Sequence, residues 1–135
     1  MLTTLESSSE WAERLRSLGL QNIVIAEDAG AVSEHLAHLL SIGQRFDIVV
    51  VDGVEPRDSY VETAAQLVAQ DGVLVVDNSD RAAYRAALER LTDFKRLDFF
   101  GMGPQNAYAW GTSIFTRSGF VPRGSRDSFG SAVDY

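Results

Sequence analysis

The stretch FDIVVVDGVEPRDSYVETAAQLVAQDGVLVVDN, residues 46–78, decides the fold. Residues 46–53 and 72–78 are short, β-branched runs that end in polar residues, and between them Ser59 and Glu62 fit the capping box that opens an amphipathic helix. Apolar runs of this kind are typical of strands that are covered on both faces of a parallel sheet. A strand, a helix and a second strand in this order predict a βαβ unit.

The rest of the chain extends this unit in both directions. Residues 2–6 and 22–26 are predicted to be strands, and two runs after residue 92 predict an antiparallel pair joined by a turn at 103–106. Further helices are predicted after a Ser7–Glu10 capping box with an apolar stripe of Trp11, Leu15 and Leu18, along Val32, Leu36, Leu39 and Leu40, and over roughly 80–91. The expected fold is α/β, a Rossmann-like three-layer sandwich with a mostly parallel sheet and an antiparallel C-terminal strand. Residues 1–117 would form this domain and residues 118–135 a flexible tail.

Composition narrows the classes of function. The chain has 135 residues, 12 basic against 19 acidic side chains and a net charge of −7, which argues against binding to nucleic acid or to an anionic membrane. Cysteine is absent, so disulfides, thiolate metal sites and cysteine nucleophiles are excluded. Neither a membrane-spanning run nor a signal peptide is present in the sequence, and we therefore expect a cytoplasmic protein with a small-molecule partner.

Acidic side chains recur where the predicted strands end. In open α/β sheets, ligands bind at the carboxyl ends of the strands, so these residues would share one edge. A single acid at a strand end is usually a turn or capping residue, but four successive strands with the same feature favour a ligand site. The residues concerned are Glu6, Glu27, Asp28, Asp52, Asp77 and Asn78.

Three of these residues are candidates for a metal site. Carboxylate and amide oxygens from neighbouring strands suit Mg²⁺ or Ca²⁺, with water or substrate oxygens as the remaining ligands. Asp52, Asp77 and Asn78 would form such a set if their strands are adjacent. The alternative is that Asp77 or Asn78 only caps a helix that starts near Asp80.

Residues 46–80 resemble the second half of a class I S-adenosylmethionine-dependent methyltransferase, and they are similar to the catechol and caffeoyl-CoA O-methyltransferases. In these families an Asp ends the fourth strand, a Tyr-led helix follows, and an Asp-Asn pair ends the next strand; Asp52, Tyr60, Asp77 and Asn78 match these positions. The resemblance implies that Asp52, Asp77 and Asn78 bind a divalent metal such as Mg²⁺. It also implies that Glu6 holds the ribose hydroxyls of S-adenosylmethionine and that Asp28, Ala29 and Asp52 border the cofactor.

The sequence departs from that family in two ways. Glu55 stands about where the catechol-type enzymes carry a basic residue near the substrate. The N-terminal first strand and its Gly-rich cofactor loop, which would precede Glu6, are not found in the sequence. We therefore expect a fragment of a longer protein, or else a sheet that closes differently or across a homodimer.

Three further features of the sequence each have a simpler explanation than a functional site. Residues 22–56 superficially resemble a phosphoacceptor response regulator, but the strand–helix spacing is too short. His35 and His38 could share a metal on one helix face, although a solvated helix face is the simpler interpretation. Tyr108 and Trp110 alternate on a late strand and could line a substrate pocket, although core packing explains them as well.

The predicted function is methyl transfer from S-adenosylmethionine to a small-molecule acceptor, with oxygen as the expected acceptor atom and a possible role for a metal. The alternative is an incomplete Rossmann-like domain without independent catalysis, which acts as an association module. A missing first strand would favour this alternative, because the two strands beside it would lose their shared neighbour.

Overall fold

Strands and helices alternate along residues 2–53, 55–102 and 108–117, which are the part of the chain that the computed structural model describes. The turn predicted at 103–106 and the tail predicted at 118–135 lie outside the described residues. The ordered elements are β1 (Thr4–Glu6), α1 (Ser9–Ser17), β2 (Ile23–Ile25), α2 (Ala29–Ser41), β3 (Phe46–Val51), α3 (Val61–Gln66), β4 (Val68–Val76), α4 (Arg85–Glu89), β5 (Lys95–Met102) and β6 (Ala109–Thr116). Short 3-10 helices, Arg57–Ser59 and Ala82–Tyr84, precede α3 and α4.

The strands form two sheets. In the first, β1 pairs with β2 in parallel; in the second, the order is β3-β4-β6-β5. The β3–β4 pair is parallel, with Val49 opposite Leu74, whereas β6 runs antiparallel to both β4 and β5. The predicted α/β, Rossmann-like architecture with parallel strands and an antiparallel C-terminal strand is confirmed. The division into two sheets agrees with the expectation that β1 and β3 lack a shared neighbour strand.

The core lies on one face of the four-stranded sheet. Leu74 on β4 and Phe115 on β6 are opposite each other in the register and are almost completely buried. They pack in one cluster with residues of α2, α3 and α4, among them Leu36, Val61 and Leu88. Full burial of a side chain of this size contributes about 1.5–3 kcal/mol, so this face supplies most of the stability of the sheet.

The other face of the same sheet is open. Ile48 and Val50 alternate with the buried side of β3 and are 65% and 61% exposed. Leu97 and Phe99 on β5 are also exposed, and the register places them on the same side of the sheet. The expectation that residues 46–53 are covered on both faces is therefore wrong for the part of the chain that the structure describes.

Several helix boundaries differ from the predicted ones. The N-cap of α1 is Ser8 rather than Ser7, since the Ser8 hydroxyl accepts from the backbone N–H of Trp11. No side-chain cap opens α3, because Ser59 lies in the preceding 3-10 helix and donates to the carbonyl of Pro56. The strand predicted over residues 72–78 starts earlier than expected, because α3 ends at Gln66 and β4 begins at Val68.

The apolar stripe predicted for α1 does not form a buried surface. Trp11 and Leu18 are exposed, and Ala12 is the residue of this helix that is buried. The guanidinium of Arg14 lies 5.0 Å from the centre of the Trp11 ring, so a cation–π contact covers part of the indole instead.

Among the described residues, no helix combines the length and the apolar character needed to cross a membrane. The cytoplasmic location inferred from composition stays a prediction.

Candidate functional site

A cleft of about 720 Å³ lies between the two sheets. Within the described residues, β1 pairs only with β2, and β3 only with β4, so each has one edge without a strand partner. Residues of β1, α2, β3 and α3 line the cleft, and at its polar end lie Glu6, Asp52, Gly53 and Tyr60. The gap between these two unpaired edges is where the first strand of the resembled fold would lie, so its volume is not that of a complete ligand pocket. The candidate ligand site is its polar end, where several polar groups converge.

Two of the predicted cofactor-binding residues line the cleft, and two lie beside it. Glu6 ends β1, and its Oε1 accepts from the backbone N–H of Ser8 over 3.0 Å. Asp28 is the N-cap of α2, because its Oδ1 accepts from the backbone N–H of Ala31 over 2.8 Å. Ala29 is the first residue of that helix. The Asp28 carboxylate thus has a capping role whether or not a ligand binds next to it.

The predicted metal ligands converge, but around a buried arginine. Arg57 is only 6% exposed, and its Nη2 donates to Oδ1 of Asp52 over 3.1 Å. Its Nη1 donates to the carbonyl of Asp77 over 2.8 Å and lies 3.4 Å from Oδ1 of Asn78, while Nε donates to the carbonyl of Gly53 over 3.0 Å. One guanidinium therefore links the ends of β3 and β4.

Local sequence explains how Arg57 reaches this position. The 3-10 helix that begins at Arg57 follows Pro56 and returns the chain toward the end of β3. Arg57 is only four residues from Gly53 and five from Asp52 in the sequence, and its side chain donates to both. A buried guanidinium carries five N–H donors that need acceptors, and the two strand ends provide four acceptor groups.

Asp52 lies between opposing electrostatic effects. Partial burial raises the pKa of its carboxyl, the Arg57 guanidinium lowers it, and the neighbouring Asp77 carboxylate raises it again, with a net upward shift. The Asp52 side chain is 62% exposed at the mouth of the cleft. Its charge is thus only partly balanced by Arg57, which leaves it able to contact a ligand.

Asp77 and Asn78 are fixed by further contacts. Oδ1 of Asp77 accepts from the hydroxyl of Thr112 on β6 over 2.6 Å. Asn78 has a φ of 52°, a left-handed conformation that Asn tolerates better than most residues, and its Oδ1 also lies 3.3 Å from Nη2 of Arg81. The helix that follows, Ala82–Tyr84, has no side-chain cap, so the alternative role of Asp77 or Asn78 as its cap is wrong.

Glu55 is held by other residues at the same edge. Arg81 donates to its Oε1, and the hydroxyl of Tyr84 donates to its Oε2. Nε of Arg57 lies 3.8 Å from Oε1 of the same carboxylate. The acidic residue that stands near the expected basic position is thus surrounded by two arginines.

The turn after β4 is anchored to β6. The backbone N–H of Ser79 donates to the carbonyl of Gly111, and the backbone N–H of Gly111 donates to Oδ1 of Asp80. Below this turn, the buried hydroxyl of Ser113 lies 2.6 Å from that of Ser79 and 2.5 Å from Oδ1 of Asp98. These bonds attach the site to the antiparallel half of the sheet.

Tyr60 forms a neutral wall of the cleft. It is buried at the start of α3, and burial raises the pKa of its phenol to about 12. Its hydroxyl therefore remains protonated at neutral pH. A Cβ at Gly53 would lie 3.5 Å from this oxygen, which shows how closely Tyr60 approaches the end of β3.

The sequence correctly indicated which strand ends form the candidate site, but Arg57, the residue that lies between them, was not predicted. Asp52, Asp77 and Asn78 do lie together, whereas Arg57 and Thr112 were not among the candidates. Thr112 belongs to β6, and no sequence pattern indicated that β6 lies beside β4. A signal for Arg57 did exist, since an arginine five residues after a strand-ending Asp is within reach of it.

The remaining candidates show no sign of a site. His35 and His38 lie with ring centres 6.4 Å apart, and the described residues contain no group of three His, Cys, Asp or Glu side chains that could hold a metal ion. The rings of Tyr108 and Trp110 are in contact at 5.8 Å between centres, and the Tyr108 side chain is exposed.

Three of the solved structures with the same fold are methyltransferases. The O-methyltransferase TomG from Streptomyces achromogenes, solved in complex with SAM, matches 87% of this chain over 62% of its own, with 23% identity and a TM-score of 0.64. An O-methyltransferase from Bacillus cereus in complex with SAH matches 85% over 62%, with 17% identity and a TM-score of 0.64. The N-methyltransferase NodS from Bradyrhizobium japonicum in complex with SAH matches 87% over 67%, with 15% identity and a TM-score of 0.55.

The chain therefore has the Rossmann-like fold of the class I methyltransferases, and it spans about 62% of the length of the two O-methyltransferases. No protein-family model matches the sequence, and neither does any curated protein.

Proposed function

We propose that this chain carries out S-adenosylmethionine-dependent methyl transfer to an oxygen of a small-molecule acceptor. The observation that carries the proposal is the convergence of Glu6, Asp52 and Tyr60 at the polar end of the gap between β1 and β3, in a fold shared with SAM- and SAH-bound methyltransferases. Bound S-adenosylmethionine would supply an electrophilic methyl group on its sulfonium.

The residues of the cleft fit a nucleoside cofactor. Glu6 presents a carboxylate, an acceptor suited to two adjacent ribose hydroxyls, and Asp28 with Ala29 would border the adenine from the start of α2. Apolar side chains such as Val32 and Leu36 line the inner wall and would exclude water. The role of the chain is then to hold the acceptor oxygen in line with the methyl group.

The acceptor would enter at the ends of β3 and β4. Asp52 is exposed there, and the Arg57 guanidinium behind it keeps that edge from being purely acidic. The oxygen acceptor rests on the two O-methyltransferases with this fold, since NodS shows that the same fold also serves an N-methyltransferase.

Calorimetric titration with S-adenosylhomocysteine tests the proposal. The unmodified protein should bind it, and Glu6→Gln should weaken the affinity about tenfold, because a charged hydrogen bond to the ribose is lost. Glu13→Gln is the matched control, since Glu13 is exposed on α1, outside the lining of the cleft, and this variant should bind as the unmodified protein does. No heat from the unmodified protein, or equal weakening in both variants, would contradict the proposal.

A second candidate function is association with another copy of the chain. It is favoured by the exposed apolar face of Ile48, Val50, Leu97 and Phe99, together with the unpaired edges of β1 and β3. Exposed apolar patches and open strand edges are both features that drive protein association. In this case the domain would form a homodimer without catalysing a reaction itself.

Sedimentation velocity distinguishes this candidate. A homodimer at about 100 µM should dissociate in Ile48→Lys, which places a charge on the open face at the unpaired edge strand β3. Ile42→Lys, at the end of α2 and away from that face, is the control and should remain dimeric. A monomer at this concentration would exclude the homodimer and leave the methyl-transfer proposal untouched.

A further inference from the structure

The oxygens predicted to bind a divalent metal are directed at a cation that belongs to the chain. Two of the predicted donors, Oδ1 of Asp52 and Oδ1 of Asn78, lie 3.1 and 3.4 Å from nitrogens of Arg57. Asp77 contacts Arg57 through its main-chain carbonyl, at 2.8 Å, and not through its carboxylate. The guanidinium therefore sits among the ligand set rather than beside it.

These residues do not fit a divalent ion while Arg57 is in place. Mg²⁺ requires oxygens at about 2.0–2.1 Å in near-octahedral geometry, and Ca²⁺ requires six or more at about 2.3–2.6 Å. Here Oδ1 of Asp52 and Oδ1 of Asn78 face the guanidinium and Oδ1 of Asp77 accepts from Thr112, which leaves one carboxylate oxygen each of Asp52 and Asp77 for an ion. A second cation would also lie next to a buried positive charge.

Rotation of the Arg57 side chain out of this position would cost free energy. It is almost fully buried, and four of its contacts are to groups of the two strand ends. If the side chain rotated away, the carbonyls of Gly53 and Asp77 would lose their donor, and the guanidinium would have to find new acceptors. An unsatisfied buried polar group costs about 1–3 kcal/mol, so the observed arrangement is strongly favoured.

We infer that the Arg57 guanidinium takes the position that a divalent metal would occupy between Asp52, Asp77 and Asn78. It supplies a permanent positive charge and positions the two strand ends. The inference deepens the proposed function, since it describes how the acceptor end of the same cleft is organised; the convergence around Arg57 itself does not depend on methyl transfer. Arg57 acts through Asp52 and Asn78, so it is a positioning residue.

Binding of Mn²⁺ alone, followed by electron paramagnetic resonance, tests the inference without any cofactor. The unmodified protein should show no site tighter than about 1 mM. Arg57→Met, which keeps the length of the side chain and removes its charge, should gain a site about tenfold tighter, because the oxygens are released. Arg90→Met is the matched control, since Arg90 pairs with Glu62 on the surface, and it should behave as the unmodified protein.

Two further measurements keep the test decisive if Arg57→Met does not fold. Arg57→Lys retains the charge but cannot span both strand ends, so it should melt at a lower temperature and still exclude Mn²⁺. In the unmodified protein, the Arg57 Nε–H signal in an NMR spectrum should be protected from exchange and should not broaden with one equivalent of Mn²⁺.

Tight Mn²⁺ binding by the unmodified protein, or broadening of the Arg57 signal at stoichiometric Mn²⁺, would overturn the inference. A well-folded Arg57→Met that gains no Mn²⁺ site would overturn it too, because the three residues would then not form a cation position. Failure of S-adenosylhomocysteine binding would leave these results unaffected, so the two proposals can fail separately.

Discussion

Nη2 of Arg57 lies 3.1 Å from Oδ1 of Asp52, and this bond joins a buried cation to an exposed carboxylate at the mouth of the cleft. The pKa of Asp52 is nevertheless raised, because burial and the Asp77 carboxylate together outweigh the attraction of Arg57. Asp52 therefore stabilises the fold mainly as a hydrogen-bond acceptor for Arg57, and its negative charge contributes less to stability.

Asp52→Ala should lower the free energy of unfolding by about 1–2 kcal/mol, because Arg57 loses an acceptor. Asp52→Asn should cost less than half as much, since its amide oxygen still accepts and the repulsion with Asp77 is removed. Urea denaturation measures both, with Asp47→Ala, a substitution of an exposed residue of β3, as the control. Equal costs for the Ala and Asn variants would show that the charge itself is what matters.

The two faces of β3 should respond differently to the same small substitution. Val51→Ala removes two methyl groups from the buried face and should cost about 2 kcal/mol. Val50→Ala, one residue earlier on the open face, should cost about 0.5 kcal/mol or less. Thermal denaturation of both variants checks the difference. A large loss from Val50→Ala would mean that this face is covered in solution.

The hydrogen bonds that link Ser79, Ser113 and Asp98 should be detectable through the pKa of the Asp98 carboxyl. The hydrogen bond from Ser113 lowers the pKa of Asp98, so this bond stabilises the fold above the unfolded pKa of Asp and is lost as the pH falls through the folded pKa. Ser113→Ala should raise the pKa of Asp98 in an NMR titration and cost about 1–2 kcal/mol at neutral pH.

Ser41→Ala is the control for that experiment, since the Ser41 hydroxyl donates only to a carbonyl of its own exposed helix end. It should leave the Asp98 titration unchanged. An unchanged pKa of Asp98 in Ser113→Ala would show that the neighbouring Arg96, rather than the serine, holds the carboxylate.

His35 should make the fold sensitive to mild acid. Burial, with a smaller contribution from His38, lowers the pKa of His35 below its usual 6.5, and its buried Nε2 has no hydrogen-bond partner among the residues that the structure describes. Unfolded His35 takes up a proton as the pH falls through about 6.5, while folded His35 does not. Stability is therefore lost as the pH falls from 6.5 toward the folded pKa.

Melting temperatures between pH 7.5 and about 5 check this prediction. His35→Gln should flatten the pH dependence, whereas His38→Gln should retain most of it, because burial of His35 is the larger cause. An unchanged slope in His35→Gln would assign the acid sensitivity to other groups.

Much of the fold was predictable because apolar runs and their polar ends are local features. The strand runs around Val49 and Leu74 are recognised by their short length, β-branched composition and polar ends, and the acids that follow them by the rule for the ends of parallel strands. The antiparallel β5–β6 pair was predictable from the short turn between two apolar runs.

Other features depend on contacts that the linear sequence does not contain. The position of Arg57 depends on how the chain turns after Pro56, and that of Thr112 on the insertion of β6 beside β4. Ser59 fits a capping pattern, but the 3-10 turn before α3 uses its hydroxyl for Pro56 instead. The exposure of Ile48 and Val50 reflects what covers the sheet rather than any property of β3 itself.

The insertion of β6 between β4 and β5 also constrains the order in which the sheet can form during synthesis. β5 leaves the ribosome before β6, yet its only neighbour in the described sheet is β6. Until residues 109–116 have been made, the second edge of β4 and the whole of β5 have no partner. Such unpaired strands are the segments on which nascent chains aggregate, so completion of this sheet is a late step that holding chaperones would be expected to protect.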